Sequence, residues 1–587
     1  MRAVLLMISL LAAGLCASPA RAQSSRELSA IVADYGALMR DADPIRAAQR
    51  GDADAARRWA DNSPAAVARR RTALAEMALR LGRLQRNDLS ATDALERDTL
   101  IYRLTIQLEG YRYDEERMPF ISGEGFFINP DYASTITVLN TEADAEAWLQ
   151  RMAAIPAYFD AEIANMRRGI AARFTQPRLV VMNSLRAVEA QAALPDAESP
   201  LLVPLARMPA TIPEARRQAL QARGAEIYAA QVKPALQNLA RFLEEEYLPR
   251  ARAQIGARSL PNGRAYYAYL VRRHTTTEMT PDEVHRLGLR EVARVRREMD
   301  AVIAEAGFQA TFAEFLAFLR SDPQFYPRDA EELMRITSEI ANRANFHMPR
   351  YFGRLPRNTM AVTFIPAALE GGSAGYWPGN PLQGTPGQVL LRRSDAQRRT
   401  LYDLPAWVMH EGSPGHHTQI AIAEELTDIP EYRRNDDVTA YVEGWALYAE
   451  RLGGEMGIYR TPYERFGQLS MEMWRACRLV IDTGMHWMGW SRDRAVACLR
   501  DNSALSPAQI EHEVDRYIGW PGQALAYKIG EIRIREMRAQ AEDRLGACFD
   551  IRAFHDAVLN SGALPMAVLA RRMEAWLEAQ AAECATQ

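Results

Sequence analysis

Apolar residues spaced three and four apart, with arginine and glutamate between them, recur along most of this chain and restrict it to a mainly helical fold. Residues 65–110, 139–175, 212–257, 281–306, 327–346, 417–426, 437–456, 462–490, 507–517, 522–545 and 565–583 all carry the stripe. Thr280-Pro281, Thr461-Pro462 and Ser506-Pro507 each set a capping hydroxyl before a proline that fits a first helical turn. One stretch differs. Residues 359–393 alternate β-favouring pieces with glycine and proline, which predicts a small sheet or hairpin. The expected architecture is a large helical body enclosing a cleft, with that sheet near the active site. Residues 23–255 would form an N-terminal helical region and 256–587 a catalytic one. No Gly/Ser-rich linker divides them, so the two should pack together.

Residues 1–22 have the pattern of a secretory leader: Arg2, an apolar run from Val4 to Leu15, and Ala20-Arg21-Ala22 before a cut at Gln23. Leu15 before Cys16 argues against lipid attachment, and no later stretch is long and apolar enough to span a membrane. The net charge of −3 becomes −5 once Arg2 and Arg21 leave with the leader. Basic residues are spread along the chain, so nucleic acid is not an expected partner. The expected location is a bacterial periplasm or the exterior. Cys477, Cys498, Cys548 and Cys584 remain in the mature chain, and the plain reading is one staple near the C-terminus plus two buried thiols.

Chemistry concentrates in His410-Glu411-Gly412-Ser413-Pro414-Gly415-His416-His417, followed by Glu443 and Glu450 on a helical segment. Two imidazoles, a later carboxylate and a glutamate beside the first histidine make a ligand set for one catalytic Zn2+, with one position left for water. The common spacing puts two histidines four apart on one helix face. Here His417 lies seven residues after His410, about 10 Å of helical rise, too far to share an ion at bonds of about 2 Å. Pro414-Gly415 must therefore distort the helix. A bulge of two residues would bring in His416, and a bulge of three His417; we take His416 as ligand and His417 as alternate. Glu411 is the expected base, Glu443 the third ligand, and Glu450 the group that orients a histidine. Arg475, Arg478 and Lys528 are candidates for a substrate carboxylate. Lys528 is one of only two lysines among 71 basic residues, so its retention marks the position.

These residues resemble a bacterial family known as domain of unknown function 885. It shares His-Glu-x-x-Pro-Gly-His-His-x-Gln, present from His410 to Gln419, and Glu-Gly-Trp-Ala-Leu-Tyr, present at 443–448. Further matches are HTTTEMTPDEVHRLGL (274–289), RLVIDTGMHWMGW (478–490), PGQALAYKIG (521–530) and LGACFDIRAFHDAVLNSGALP (545–565). More distantly, the arrangement is similar to mostly helical zinc peptidases of the oligopeptidase and angiotensin-converting-enzyme kind. In several of those a glycine directly precedes the second histidine ligand, as Gly415 precedes His416. That likeness implies an oxyanion-stabilising tyrosine late in the chain, for which Tyr527 is the candidate with His486 behind it. It also implies a strand that pairs with peptide backbone, here Gly372, Ser373, Ala374 and Tyr376. The expected activity is zinc-dependent hydrolysis of short peptides. The alternatives are a zinc hydrolase of other amides or esters and a non-catalytic peptide-binding protein.

Overall fold

The computed structural model describes residues 19–366, 374–380, 384–434 and 438–586. Residues 1–18 of the expected leader lie outside these, and its last four open the helix Pro19–Ala42. Helix accounts for 73% of the structure, and the one sheet among the described residues has three strands, so the fold is mainly α. The proline-led starts form as the sequence implies. Thr280, Thr461 and Ser506 each accept a backbone N–H from the third helical residue, at Glu283, Glu464 and Gln509. The 65–110 stripe is carried by two helices, Pro64–Gly82 and Ala91–Gly110, because the chain turns at Arg83–Ser90.

The small sheet is mixed rather than a simple hairpin. Strands β1 (Met360–Phe364), β2 (Gly375–Trp377) and β3 (Gly387–Leu391) lie in the order β1-β3-β2. β3 is central, parallel to β1 and antiparallel to β2. Its Val389, Leu390 and Leu391 are buried, which anchors the sheet to the body, and among the described residues β2 is an edge strand.

Six helices frame the region that follows: α1 (Pro281–Glu305), α2 (Leu404–Glu411), α3 (His416–Glu424), α4 (Thr439–Glu455), α5 (Pro462–Thr483) and α6 (Arg492–Asn502). A seventh, α7 (Ala526–Leu545), crosses α4. One apolar cluster joins Trp148, Val181 and Tyr247 to Phe466, Cys477 and Tyr517, so residues on both sides of 255 share a core. α5 runs through the middle, with every residue from Phe466 to Thr483 buried.

The α4–α7 crossing depends on glycine. A Cβ at Gly530 would lie 1.8 Å from the Ala440 carbonyl oxygen, and one at Gly444 would lie 2.5 Å from the Gly530 Cα. The obstacle is backbone, which no rotamer change relieves. Gly530→Ala should therefore cost about 3 kcal/mol, the upper part of the usual overpacking range. Urea unfolding of both proteins in chelator checks this; an unchanged midpoint would mean the crossing has slack.

Candidate metal centre

Gly412 N–H still bonds to the Val408 carbonyl at 2.8 Å, and there α2 ends. The chain crosses Gly412–Gly415 with a cis Ser413–Pro414 peptide and begins a new helix at His416. This corrects the expected bulge inside one continuous helix. Gly415 packs onto the end of α2 so closely that a Cβ would sit 2.0 Å from the His410 carbonyl oxygen. That contact, and the missing N–H of Pro414, leave no path for a continued helix. Trp445 Nε1 donates to the Pro414 carbonyl at 2.9 Å and so ties α4 to the break.

The outcome is a focus of three side chains. His410 Nε2 lies 3.4 Å and His416 Nε2 3.6 Å from Glu443 Oε2. All three ligand atoms fall within 4.8 Å of one another, and the two rings stand at 84° with centroids 4.7 Å apart. Tetrahedral ligands at about 2 Å from zinc lie roughly 3.3 Å from each other, which the two histidine–glutamate separations approach. Among the described residues no other group of His, Cys, Asp and Glu converges in this way. Glu443 Oε2 is buried without a hydrogen-bond partner among the described residues, as an acceptor reserved for a cation would be.

His410 Nδ1 donates to Glu450 Oε1 at 2.8 Å, and Glu450 is fully buried. The Arg475 guanidinium lies 3.5 Å from the same oxygen. With Nδ1–H so committed, neutral His410 turns its Nε2 lone pair to the focus. Burial disfavours charge on His410, but the adjoining Glu443 carboxylate, the Glu450 hydrogen bond and the nearby Glu411 charge push its pKa up to about 9. Glu443 is held well below the usual carboxylate range, because the adjoining imidazoles of His410 and His416 outweigh burial. Both shifts describe a pocket that attracts positive charge. Glu450→Gln should lower zinc affinity about 10–100-fold, as loss of a carboxylate behind a ligating histidine usually does. Competition against a chromogenic chelator measures it.

The family model for bacterial protein of unknown function DUF885 matches residues 44–573. The chain belongs to the DUF885 family. A candidate lipoprotein from Colwellia psychrerythraea has a similar solved structure, with a TM-score of 0.88 at 24% identity over 95% of this chain and 99% of that one. A candidate lipoprotein of unknown function from Shewanella oneidensis matches with a TM-score of 0.67 at 17% identity, covering 94% and 99%. At these identities the likeness concerns the fold. No curated protein matches.

Other expected site residues of this DUF885 chain divide into those near the focus and those held elsewhere. Glu411 ends α2, and β2 passes beside it: a Cβ on Gly375 would lie 3.7 Å from Glu411 Oε2. Tyr527, on α7, feels the Glu443 charge; burial and that charge raise its pKa, so the phenol stays protonated at neutral pH. The Arg478 guanidinium lies over its ring, 4.2 Å from the centroid. His417 turns to the sheet instead, its Nδ1 3.1 Å from the Tyr376 hydroxyl, and burial holds its pKa near about 4. Tyr376 is therefore engaged by His417 on the edge strand, and Ala374 is exposed just before that strand. Gly372 and Ser373 lie outside the described residues.

Three assignments need correction. His486 is fully buried, with Nδ1 accepting the Ala257 N–H and Nε2 donating to the Tyr517 carbonyl, both at 2.9 Å. Neither nitrogen is left for catalysis, and burial pushes its pKa down to about 3. Lys528 is also fully buried, with Nζ 2.7 Å from Glu472, 2.8 Å from Glu531 and 3.3 Å from Glu291. It neutralises carboxylates of α1, α5 and α7 and has no room for a substrate. Arg478 bonds the Tyr517 hydroxyl at 2.7 Å and Glu513 at 3.1 Å, so it braces Tyr527 rather than receiving a substrate carboxylate. Sequence reasoning missed Trp445 and Gly375. The tryptophan directly after Glu443-Gly444 was a readable signal; Gly375 had none.

Proposed function

We propose that this protein is an exported zinc-dependent hydrolase that cleaves short peptides. The observation that carries the reading is the convergence of His410, His416 and Glu443 on one point, with Glu411 on the helix that bears the first of them. A zinc ion held there supplies Lewis-acid polarisation of a carbonyl and a more acidic water. The chain's own residues do the rest. Glu411 takes the proton of the attacking water and returns it to the leaving amine. The Tyr527 phenol, kept protonated, donates to the carbonyl oxygen as negative charge develops, an effect worth about 3 kcal/mol for one well-aimed donor. The edge strand β2, which has no partner on its outer side among the described residues, lies beside Glu411 and receives extended peptide backbone. Export is supported by the apolar leader pattern, by the Cys548–Cys584 disulfide and by the lipoprotein descriptions of the two solved relatives. No helix among the described residues is long and apolar enough to cross a membrane.

The test combines elemental analysis with a peptide library. About one zinc per chain, cleavage of short peptides, loss with a chelator and recovery with zinc are the expected results. Cleavage confined to acylated amino acids or esters would move the reaction to another bond. Zinc-loaded protein that binds peptides and never cuts them would replace the hydrolase reading with a binding protein.

A further inference from the structure

Two cysteines play no part in the site. Cys477 lies within α5, fully buried, and Cys498 lies on α6, half-buried against the same apolar cluster. Both carry free thiols in the structure. The Cys477 Sγ is 3.8 Å from the carbonyl oxygen of Cys498, so the second side chain begins within one residue's reach of the first sulfur. Each thiol perturbs the other, which pushes the Cys477 pKa up and the Cys498 pKa down. The other cysteine pair of the mature chain, Cys548 and Cys584, is already a disulfide.

We propose that Cys477 and Cys498 close a second disulfide, a covalent staple between α5 and α6, when the chain folds in an oxidising compartment. The inference stands apart from the hydrolase reading and needs no metal. The Cys498 thiolate attacks one sulfur of an acceptor disulfide, supplied by a thiol–disulfide oxidoreductase or a small-molecule disulfide, and expels a thiolate. Cys477 then gives up its proton and attacks the Cys498 sulfur of that mixed disulfide, expelling the second thiolate. The cysteines lose two protons and two electrons, and the acceptor becomes two thiols. Because Cys477 is inaccessible in the folded chain, closure belongs to folding, before α5 is covered. The staple would fix the helix on which Arg475 approaches Glu450 and Arg478 covers Tyr527.

Trypsin gives a direct test. Cleavage after Arg475, Arg478, Arg494 and Arg500 isolates Cys477 in Ala476–Arg478 and Cys498 in Ala495–Arg500. The full chain is exported through a bacterial periplasm, alkylated under denaturing conditions and digested without reductant. The expected product is those two peptides joined, separating on reduction, with no alkylated cysteine elsewhere. Recovery of both peptides separately alkylated while Cys548 and Cys584 remain linked would overturn the proposal, as would either cysteine joined to 548 or 584. The Cys548 linkage reports on the compartment in the same digest, so a failed staple is distinguished from failed export.

Discussion

Glu411→Gln should retain a full complement of zinc and lose about 10³-fold in kcat, within the range general acid–base catalysis provides. Glutamine has nearly the same shape, and Glu411 is not one of the three side chains at the focus. Metal content and thermal stability should therefore match the parent protein. What disappears is the carboxylate that receives the water's proton, so KM should move much less than kcat. A variant that keeps its zinc and its full turnover would remove Glu411 from the mechanism. Loss of zinc together with activity would point instead to a ligand or structural role. The measurement pairs elemental analysis with steady-state kinetics on a peptide that the parent cleaves.

Much of the site was legible because helical spacing is a local property. His410 and Glu411 end one helix, while Glu443 and Glu450 lie on a second, and their spacing is visible in the chain itself. The assignment of Glu450 as the group behind a histidine follows from its place seven residues after Glu443. The choice between His416 and His417 was not legible in this way. It depends on the path of Gly412–Gly415, which turns His416 to Glu443 and His417 to Tyr376. Lys528 and His486 misled for a related reason. A retained lysine or histidine in a suspicious segment reads as chemistry until its partners are known. Those partners arrive from helices far away in sequence: Glu291 and Glu472 for Lys528, Ala257 and Tyr517 for His486. Burial inverts the meaning of such residues, since a buried polar group must be satisfied whether or not it acts. The mainly helical class survived these errors because its signal is repeated over many segments. The sheet order did not follow from the sequence, because β1 pairs directly with β3, and β2, which comes between them in the chain, lies on the far side of β3.

Glu443→Ala should have the opposite signature to Glu411→Gln: a chain that folds, binds zinc poorly and is inactive for that reason. Structural zinc sites bind with roughly 10–16 kcal/mol, so one ligand of four carries on the order of 3 kcal/mol, or about a hundredfold to a thousandfold in affinity. The loss should not be recovered by a neighbour. Glu450 is held on the far side of His410 by the Nδ1 bond, and His417 is turned to Tyr376. The metal-free chain should still fold but lose some stability, because the imidazoles of His410 and His416 favour the Glu443 carboxylate and alanine removes it. Thermal unfolding with and without zinc therefore reads the assignment independently of any substrate. Saturating zinc should raise the parent's midpoint, because a ligand bound only by the folded state stabilises it. The same zinc should leave the Glu443→Ala midpoint where it was. An equal zinc-dependent rise in both proteins would locate the ion elsewhere and dissolve the ligand set, whatever peptides the protein cleaves.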